Sequence, residues 1–360
     1  MKSGRNERST VQSRRSPARQ SKNLLWFGAC ALFLFYPVRI DAGETLTRVK
    51  SRKVVRCGVS EGLLGFSQKD KTGRWVGLDA DFCRAVAAAA VGDPDRVSLV
   101  PLSPSARFVA LRSNEIDLLL RHTTWTLGRE VGLGVHFTGV LFHDSQGFIV
   151  KQSSRARRLP DLRGASICVE DQTTSESNLV EYFSSRNWKY QIVERKTLAE
   201  VTGAFFGGHC QAYTSDKAQL VSVRLQAPGG PQAYFILPEQ ISREPVGPAV
   251  RRGDEEWFTL IKWVLFALIE AEEIGVTRKN VRSKAEARND PELERFLDVH
   301  GTLAKPLGIE PGWVVRLLAA VGNYGEIFER NLGSESPLRL ERGLNHLWTK
   351  GGLMYAPPFR

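Results

Sequence analysis

Short apolar runs recur along this chain, and each breaks abruptly into polar residues. The sharpest case is Ile116, Leu118, Leu119 and Leu120, which run into Arg121, His122, Thr123, Thr124, Trp125 and Thr126, with Arg129 close behind. A run of this kind predicts a buried strand. Similar runs predict strands at 54–59, 97–101, 146–150, 165–169 and 210–214. Between them lie helical patterns at 79–87 and 106–111, and another after Thr173 that places Leu179, Tyr182 and Phe183 on one side. Strands alternating with helices predict an α/β architecture.

In an open α/β sheet the ligand site lies just beyond the carboxyl ends of the strands. Hydroxyls and a fork-shaped guanidinium at that place suit a small carboxylate, which makes Arg129 the first candidate ligand contact. The second half of the chain repeats the plan. The strand at 165–169 leads into Glu170, Asp171, Gln172, Thr173, Thr174, Ser175 and Glu176. Thr173 and Glu176 have the spacing of a capping box, and the free amides of a helix start there suit an anion. The strand at 210–214 ends in Ser215 and Asp216, as the earlier run ends in its threonines. Two similar α/β units facing one ligand is the simplest reading.

The prolines of 244–251 suit an extended crossing better than a helix. With 146–150 leaving the first unit, the chain passes between the units twice. The expected division is therefore 43–149 with 245–360 as one lobe, and 150–244 as the other. Gly73 and Gly77 bracket a hairpin around Trp75. Residues 257–273 form an amphipathic helix, further helices follow to about 348, and the apolar tail 351–360 is expected to dock on a lobe.

Composition adds an address. The chain is 42% hydrophobic and 25% charged, which fits globular structure with sizeable cores. Residues 1–42 read instead as a secretory signal: seven basic residues, from Lys2 to Lys22, precede an apolar run at 24–36, and Ala42 offers a cleavage site. That run is shorter than the roughly 20 residues of a spanning helix, so an exported, periplasmic protein is expected. Losing this segment lowers the formal charge from +11 to about +5. The remaining excess is not gathered into a stripe, and nucleic-acid binding is not expected. Four cysteines remain: Cys57, Cys83, Cys168 and Cys210. An even count in an exported chain favours disulfides, with three pairings open. One bridge per unit would join Cys57 to Cys83 and Cys168 to Cys210. No paired-cysteine metal motif occurs, so neither a metal nor a cofactor is expected.

The chain resembles the solute-binding proteins of ABC importers for polar and general L-amino acids. The resemblance is carried by 77–87, by Thr123-Thr124-Trp125-Thr126, by 322–330 and by 347–358. It implies a type II periplasmic-binding fold, with two lobes joined by two strands and closing over one amino acid. It further implies that Arg129 holds the ligand α-carboxylate with Thr124 and Thr174, that Asp216 receives the α-ammonium, and that a monomer delivers free L-amino acids to a membrane permease. His122 stands where the family usually has asparagine, Gln172 where it has glycine, Ser60-Glu61 where it has asparagine and threonine, and Gln211 where it has aspartate. His122 and Ser60 join the candidate ligand contacts on that ground.

Each candidate has an ordinary reading beside it: Arg129 as a surface cation, Asp216 and Thr173 as helix caps, His122 as a structural imidazole. Two other functions are open to the same fold. A dehydratase acting on a cyclic carboxylic acid would use a cleft acid or His122, but no second titratable group stands visibly beside His122. A sensor component would need a signalling segment, and none follows. An imidazole titrates near neutrality, so preference for acidic over amide ligands is expected to rise as pH falls from about 8 to 5.5.

Overall fold

The computed structural model describes residues 44–287 and 290–360. The secretory segment expected at 1–42 lies outside the described residues. Two five-stranded sheets carry the fold. The first has the order Val97–Pro101, Val55–Val59, Leu118–Leu119, Ala249–Arg251, Val135–Phe137. Val55–Val59 runs parallel to both of its neighbours, while Ala249–Arg251 is antiparallel to the strands on either side of it. The second sheet has the order Gln191–Arg195, Ser166–Glu170, Ala212–Asp216, Gln146–Lys151, Tyr234–Ile236.

The apolar run at 116–120 pairs as a strand only over Leu118–Leu119. Asp117 turns its carboxylate back to accept the N–H of Arg56 at 2.8 Å, which ends the pairing on that side. Alternation then serves both faces of the sheet. Leu118 and Leu120 join the large cluster under the C-terminal helices, and Leu119 joins the smaller one with Phe108 and Phe137.

Two strands cross between the sheets. Phe142–Asp144 and Glu244–Val246 pair antiparallel, with Glu244 opposite Asp144. The extended crossing expected from the prolines is found, and Pro245 supplies a carbonyl that accepts the N–H of Trp125 at 2.7 Å. This is the type II periplasmic-binding arrangement, two α/β lobes on a two-strand connection.

The first lobe is built on the helix Leu78–Val91, buried through Ala90. Its alanine face lets the helix Trp313–Val321 of the C-terminal part pack closely against it. Gly77 begins that helix at φ 127°, and a Cβ there would meet the carbonyl oxygen of Phe66 at 2.1 Å. Only glycine fits such a turn. The tail docks as expected: Phe359 packs edge-on to Trp263 and Phe296, with ring centroids 4.9 and 5.0 Å apart.

Cys57 pairs with Cys83 and Cys168 with Cys210. Each bridge ties a central strand to a neighbouring element of its own lobe, and neither crosses between the lobes.

Candidate functional site

The first sheet presents its site residues where the strand Leu118–Leu119 ends. Arg121, His122, Thr123 and Thr124 follow at once and are all buried. His122 takes φ 43°, a left-handed conformation that turns the chain out of the sheet. Thr126 then caps the short helix Leu127–Leu133 by accepting the N–H of Arg129 at 3.2 Å. That helix projects Arg129 back toward the sheet, where its Nη1 donates to the carbonyl of Thr124 at 2.5 Å and its guanidinium lies 5.6 Å from the Phe108 ring.

The second sheet answers in the same way. Thr173 caps the helix Thr174–Ser184 by accepting the N–H of Glu176 at 3.2 Å, and its own hydroxyl donates to the carbonyl of Glu170 at 2.7 Å. The predicted box closes one residue early, because Glu176 accepts from the N–H of Gln172 at 2.6 Å rather than from Thr173. Gln172 sits at φ 56°, the kind of conformation that a glycine would adopt without strain.

Between the sheets these ends enclose one small polar cavity. Three guanidiniums, from Arg107, Arg121 and Arg129, and two carboxylates, from Glu170 and Asp216, face it together with Thr124 and Thr174. Contacts already span it. Arg107 Nη2 donates to the carbonyl of Gln172 at 3.1 Å, and Arg121 lies 3.6 Å from Glu170. Arg107 is 2% exposed and its Nε has no partner, so one strong donor remains uncommitted in a buried place.

Burial acts on the two signs of charge in opposite ways. It drives Arg107 well below the usual arginine range, helped by the nearby Arg129 and Arg121. Arg129 falls to about 10 for the same reason, against the pull of Glu244 and Asp216. Arg129 remains a cation at neutral pH. Burial lifts Asp216 to about 6 and Asp79 to about 7, in each case against the stabilising charge of His122.

His122 departs from expectation. Asp144 Oδ2 lies 3.4 Å and Asp216 Oδ2 3.1 Å from its Nε2, so two titratable partners stand beside an imidazole that the sequence left alone. Burial by itself would push the imidazole down, but the two carboxylates outweigh it and carry His122 up to about 10. It is therefore an imidazolium throughout pH 5.5–8, and it faces the carboxylates rather than the arginines. The expected titration near neutrality is corrected on both counts. Hydrogen bonding to the two carboxylates and their charge together outweigh the cost of burying the ring. His122, Asp144 and Asp216 bring three potential ligand atoms within 4.8 Å of one another, but the imidazolium already supplies the positive charge there.

Ser60 is buried at the end of Val55–Val59, where its N–H donates to Ser67 Oγ at 3.1 Å, and it is not among the residues lining the cavity. Arg107, Arg121, Glu170 and Glu244 were not candidates from the sequence. Glu244 is 2% exposed and accepts four side-chain hydrogen bonds, from Thr124 and Thr174 on Oε2 and from Asn178 and Ser242 on Oε1. The one available signal for Arg121 was its place just past a strand end; Arg107, at the start of the helix Arg107–Arg112, had none.

Comparison with known proteins agrees with this geometry. The chain is 46% identical over 321 residues to the general L-amino acid-binding periplasmic protein AapJ of Rhizobium johnstonii, covering 89% of this chain and 94% of that protein. It is 42% identical over 339 residues to the glutamate/glutamine/aspartate/asparagine-binding protein BztA of Rhodobacter capsulatus, covering 94% and 100% respectively. A periplasmic binding protein from Brucella ovis, solved with glutathione bound, superposes with a TM-score of 0.84 at 44% identity, covering 88% of this chain and 99% of that one. Residues 55–279 match the bacterial extracellular solute-binding proteins, family 3, and with these relatives the chain belongs to that family.

Proposed function

We propose that this protein captures free L-amino acids in the cavity between its lobes and hands them to an ABC permease of the cytoplasmic membrane. One observation carries the reading: guanidiniums and carboxylates contributed by both lobes face a single enclosed cavity. A zwitterion needs both signs, and exclusion of water strengthens each contact. In this reading the α-carboxylate meets Arg129, beside the hydroxyls of Thr124 and Thr174. The α-ammonium meets Asp216, whose Oδ1 is buried without a partner.

His122 is the neighbour of that ammonium. Asp144 and Asp216 together carry two negative charges against one imidazolium, which leaves a net negative place for the ligand's amine. The uncommitted Nε of Arg107, with Arg121 and Glu170 close by, supplies donors and an acceptor for a polar side chain. Glutamine, glutamate and their shorter homologues fit such a mixed lining, and they are what BztA is named for binding. Glutathione, present in the Brucella ovis structure, ends in a γ-linked glutamyl group with the same free α-amine and α-carboxylate.

The periplasmic address is supported by the basic and apolar pattern of residues 1–42 and by the periplasmic relatives. A monomer that binds and releases without chemistry fits the family. The dehydratase alternative gains two acids beside His122, but an imidazolium pinned by both lacks the free lone pair that a general base requires. A thermal-shift screen of the mature protein against the common L-amino acids tests the reading. A ligand at about 100 times its dissociation constant adds roughly 2.7 kcal/mol of stability; no shift with any amino acid would contradict it.

A further inference from the structure

The hydroxyls of Thr124 and Thr174 are poorly placed to do what an α-carboxylate asks of them. Each hydroxyl has one proton to donate. Thr124 Oγ1 lies 2.6 Å and Thr174 Oγ1 3.0 Å from the same Oε2 of Glu244, and the two hydroxyl oxygens are 3.2 Å from each other. Both protons are thus directed to the glutamate, or one of them to the neighbouring hydroxyl. What the pair turns toward the cavity is lone pairs, which repel a carboxylate.

Glu244 reaches this position from the crossing strand Glu244–Val246. Its other oxygen is fixed by Asn178 Nδ2 at 2.8 Å and Ser242 Oγ at 2.5 Å. It is fully enclosed, and its charge also acts on Arg129. The donors assembled around it, two hydroxyls with a guanidinium nearby, are the set that the amino-acid reading assigns to the ligand α-carboxylate.

We propose that Glu244 is a positioning residue that sets the polarity of the two threonines and acts as an internal rival to the ligand carboxylate. It ties together a hydroxyl from each lobe, and in doing so it withholds their protons from the ligand. Binding strength for a carboxylate is thereby held down, which suits a protein that must release its cargo to a permease. The inference rests on the assignment of the α-carboxylate to the Arg129 side of the cavity.

Glu244→Gln tests it, because the orientation of the new amide is forced. Asn178 Nδ2 also donates to Gln146 Oε1 at 2.9 Å, and the Gln146 amide is itself fixed by donating to the Ser175 carbonyl and to Thr214, so Asn178 keeps its N–H₂ toward position 244; the introduced carbonyl then faces Asn178 and the introduced N–H₂ faces the threonines. The threonine oxygens then accept from that amide in the variant, and their protons turn outward. Calorimetric titration of wild type, Glu244→Gln and Glu244→Ala with each common L-amino acid is expected to show tighter binding in Glu244→Gln, by about tenfold, as one charge-assisted hydrogen bond is gained. Glu244→Ala, which removes the tie between the lobes, is expected to bind more weakly than wild type. The gain in Glu244→Gln is expected to vanish for the corresponding amino-acid amides, which lack the carboxylate; a merely structural glutamate would not discriminate between acid and amide.

If wild type binds amino acids and Glu244→Gln weakens them as Glu244→Ala does, the Glu244 assignment fails and the amino-acid reading stands. If Glu244→Gln gains equally for acids and amides, the assignment also fails. If neither wild type nor Glu244→Gln binds any amino acid, the amino-acid reading fails and takes the assignment with it. Binding detected only in Glu244→Gln supports both. Melting curves of all three proteins show whether a loss reflects the fold.

Discussion

The two ends of the cavity are both buried and both charged, yet they differ in how much of their charge depends on pH. At the arginine end, burial lowers Arg129 only to about 10, so the cation persists under any condition an exported protein meets. At the carboxylate end, burial raises Asp216 to about 6, inside that range. Desolvation is the same force in both places. It matters at one end because a carboxylate starts below neutrality and moves toward it, whereas an arginine starts far above. The arginine end therefore supplies steady affinity, and the carboxylate end makes that affinity depend on pH.

The largest effect that would break this comparison is at the arginine end. Arg129→Ala leaves a buried ligand carboxylate without its charged partner, and a loss on the order of a hundredfold or more in affinity is expected by calorimetry. Asp216→Asn is expected to weaken binding nearly as much, since it removes the ammonium's anion and unbalances His122. Unchanged binding in either variant would undo the corresponding half of the site.

A smaller effect separates the ends directly. Below pH 6 Asp216 gains a proton, so amino-acid affinity is expected to fall by up to about tenfold per pH unit, where one titrating group governs binding. The folding contribution of the same group has the opposite sign. A carboxyl whose folded pKa is raised from 3.8 to about 6 binds protons more readily when folded, so its share of stability increases as pH falls through that window. His122, raised from 6.5 to about 10, contributes stability that is complete below 6.5 and is lost as pH rises toward 10. Melting temperature and affinity measured from about pH 4.5 to 7 should diverge; a parallel fall would contradict the Asp216 value.

The smallest effect concerns the turn before the second-lobe helix. Gln172→Gly relieves a left-handed backbone and keeps the carbonyl that Arg107 uses. Stability is expected to rise by no more than about 1 kcal/mol, with affinity unchanged; a large loss of affinity would mean that the Gln172 side chain itself contacts the ligand.

Much of the fold was legible because hydrophobic alternation is a local signal. The runs ending at Leu120, Val169 and Thr214 lie on strands that point their following residues into the cavity, so the placement of the threonines and Asp216 was legible at those strand ends, while their separate roles came from the family resemblance. What stayed hidden depends on contacts between distant segments. Glu244 lies 120 residues from Thr124 and 70 from Thr174, so nothing near Pro245 reveals that its carboxylate gathers both hydroxyls. His122 looked like a free imidazole because Asp144 comes from the crossing strand and Asp216 from the far lobe. Arg107 read as an ordinary residue at a helix start, and only burial beside two other guanidiniums marks it out. Ser60, named because it stands where the family usually has asparagine, bonds Ser67 through its backbone and does not line the cavity.

The central claim is that one zwitterion is held by both of its charged ends. Calorimetry of the mature wild-type protein with L-glutamine, with N-acetyl-L-glutamine and with L-glutamine amide bears on it most directly. The account predicts binding of the free amino acid and little or none for the N-acetylated form, which has lost its ammonium; the α-amide should be weakened as well. Equal affinity for the free and N-acetylated forms would contradict it.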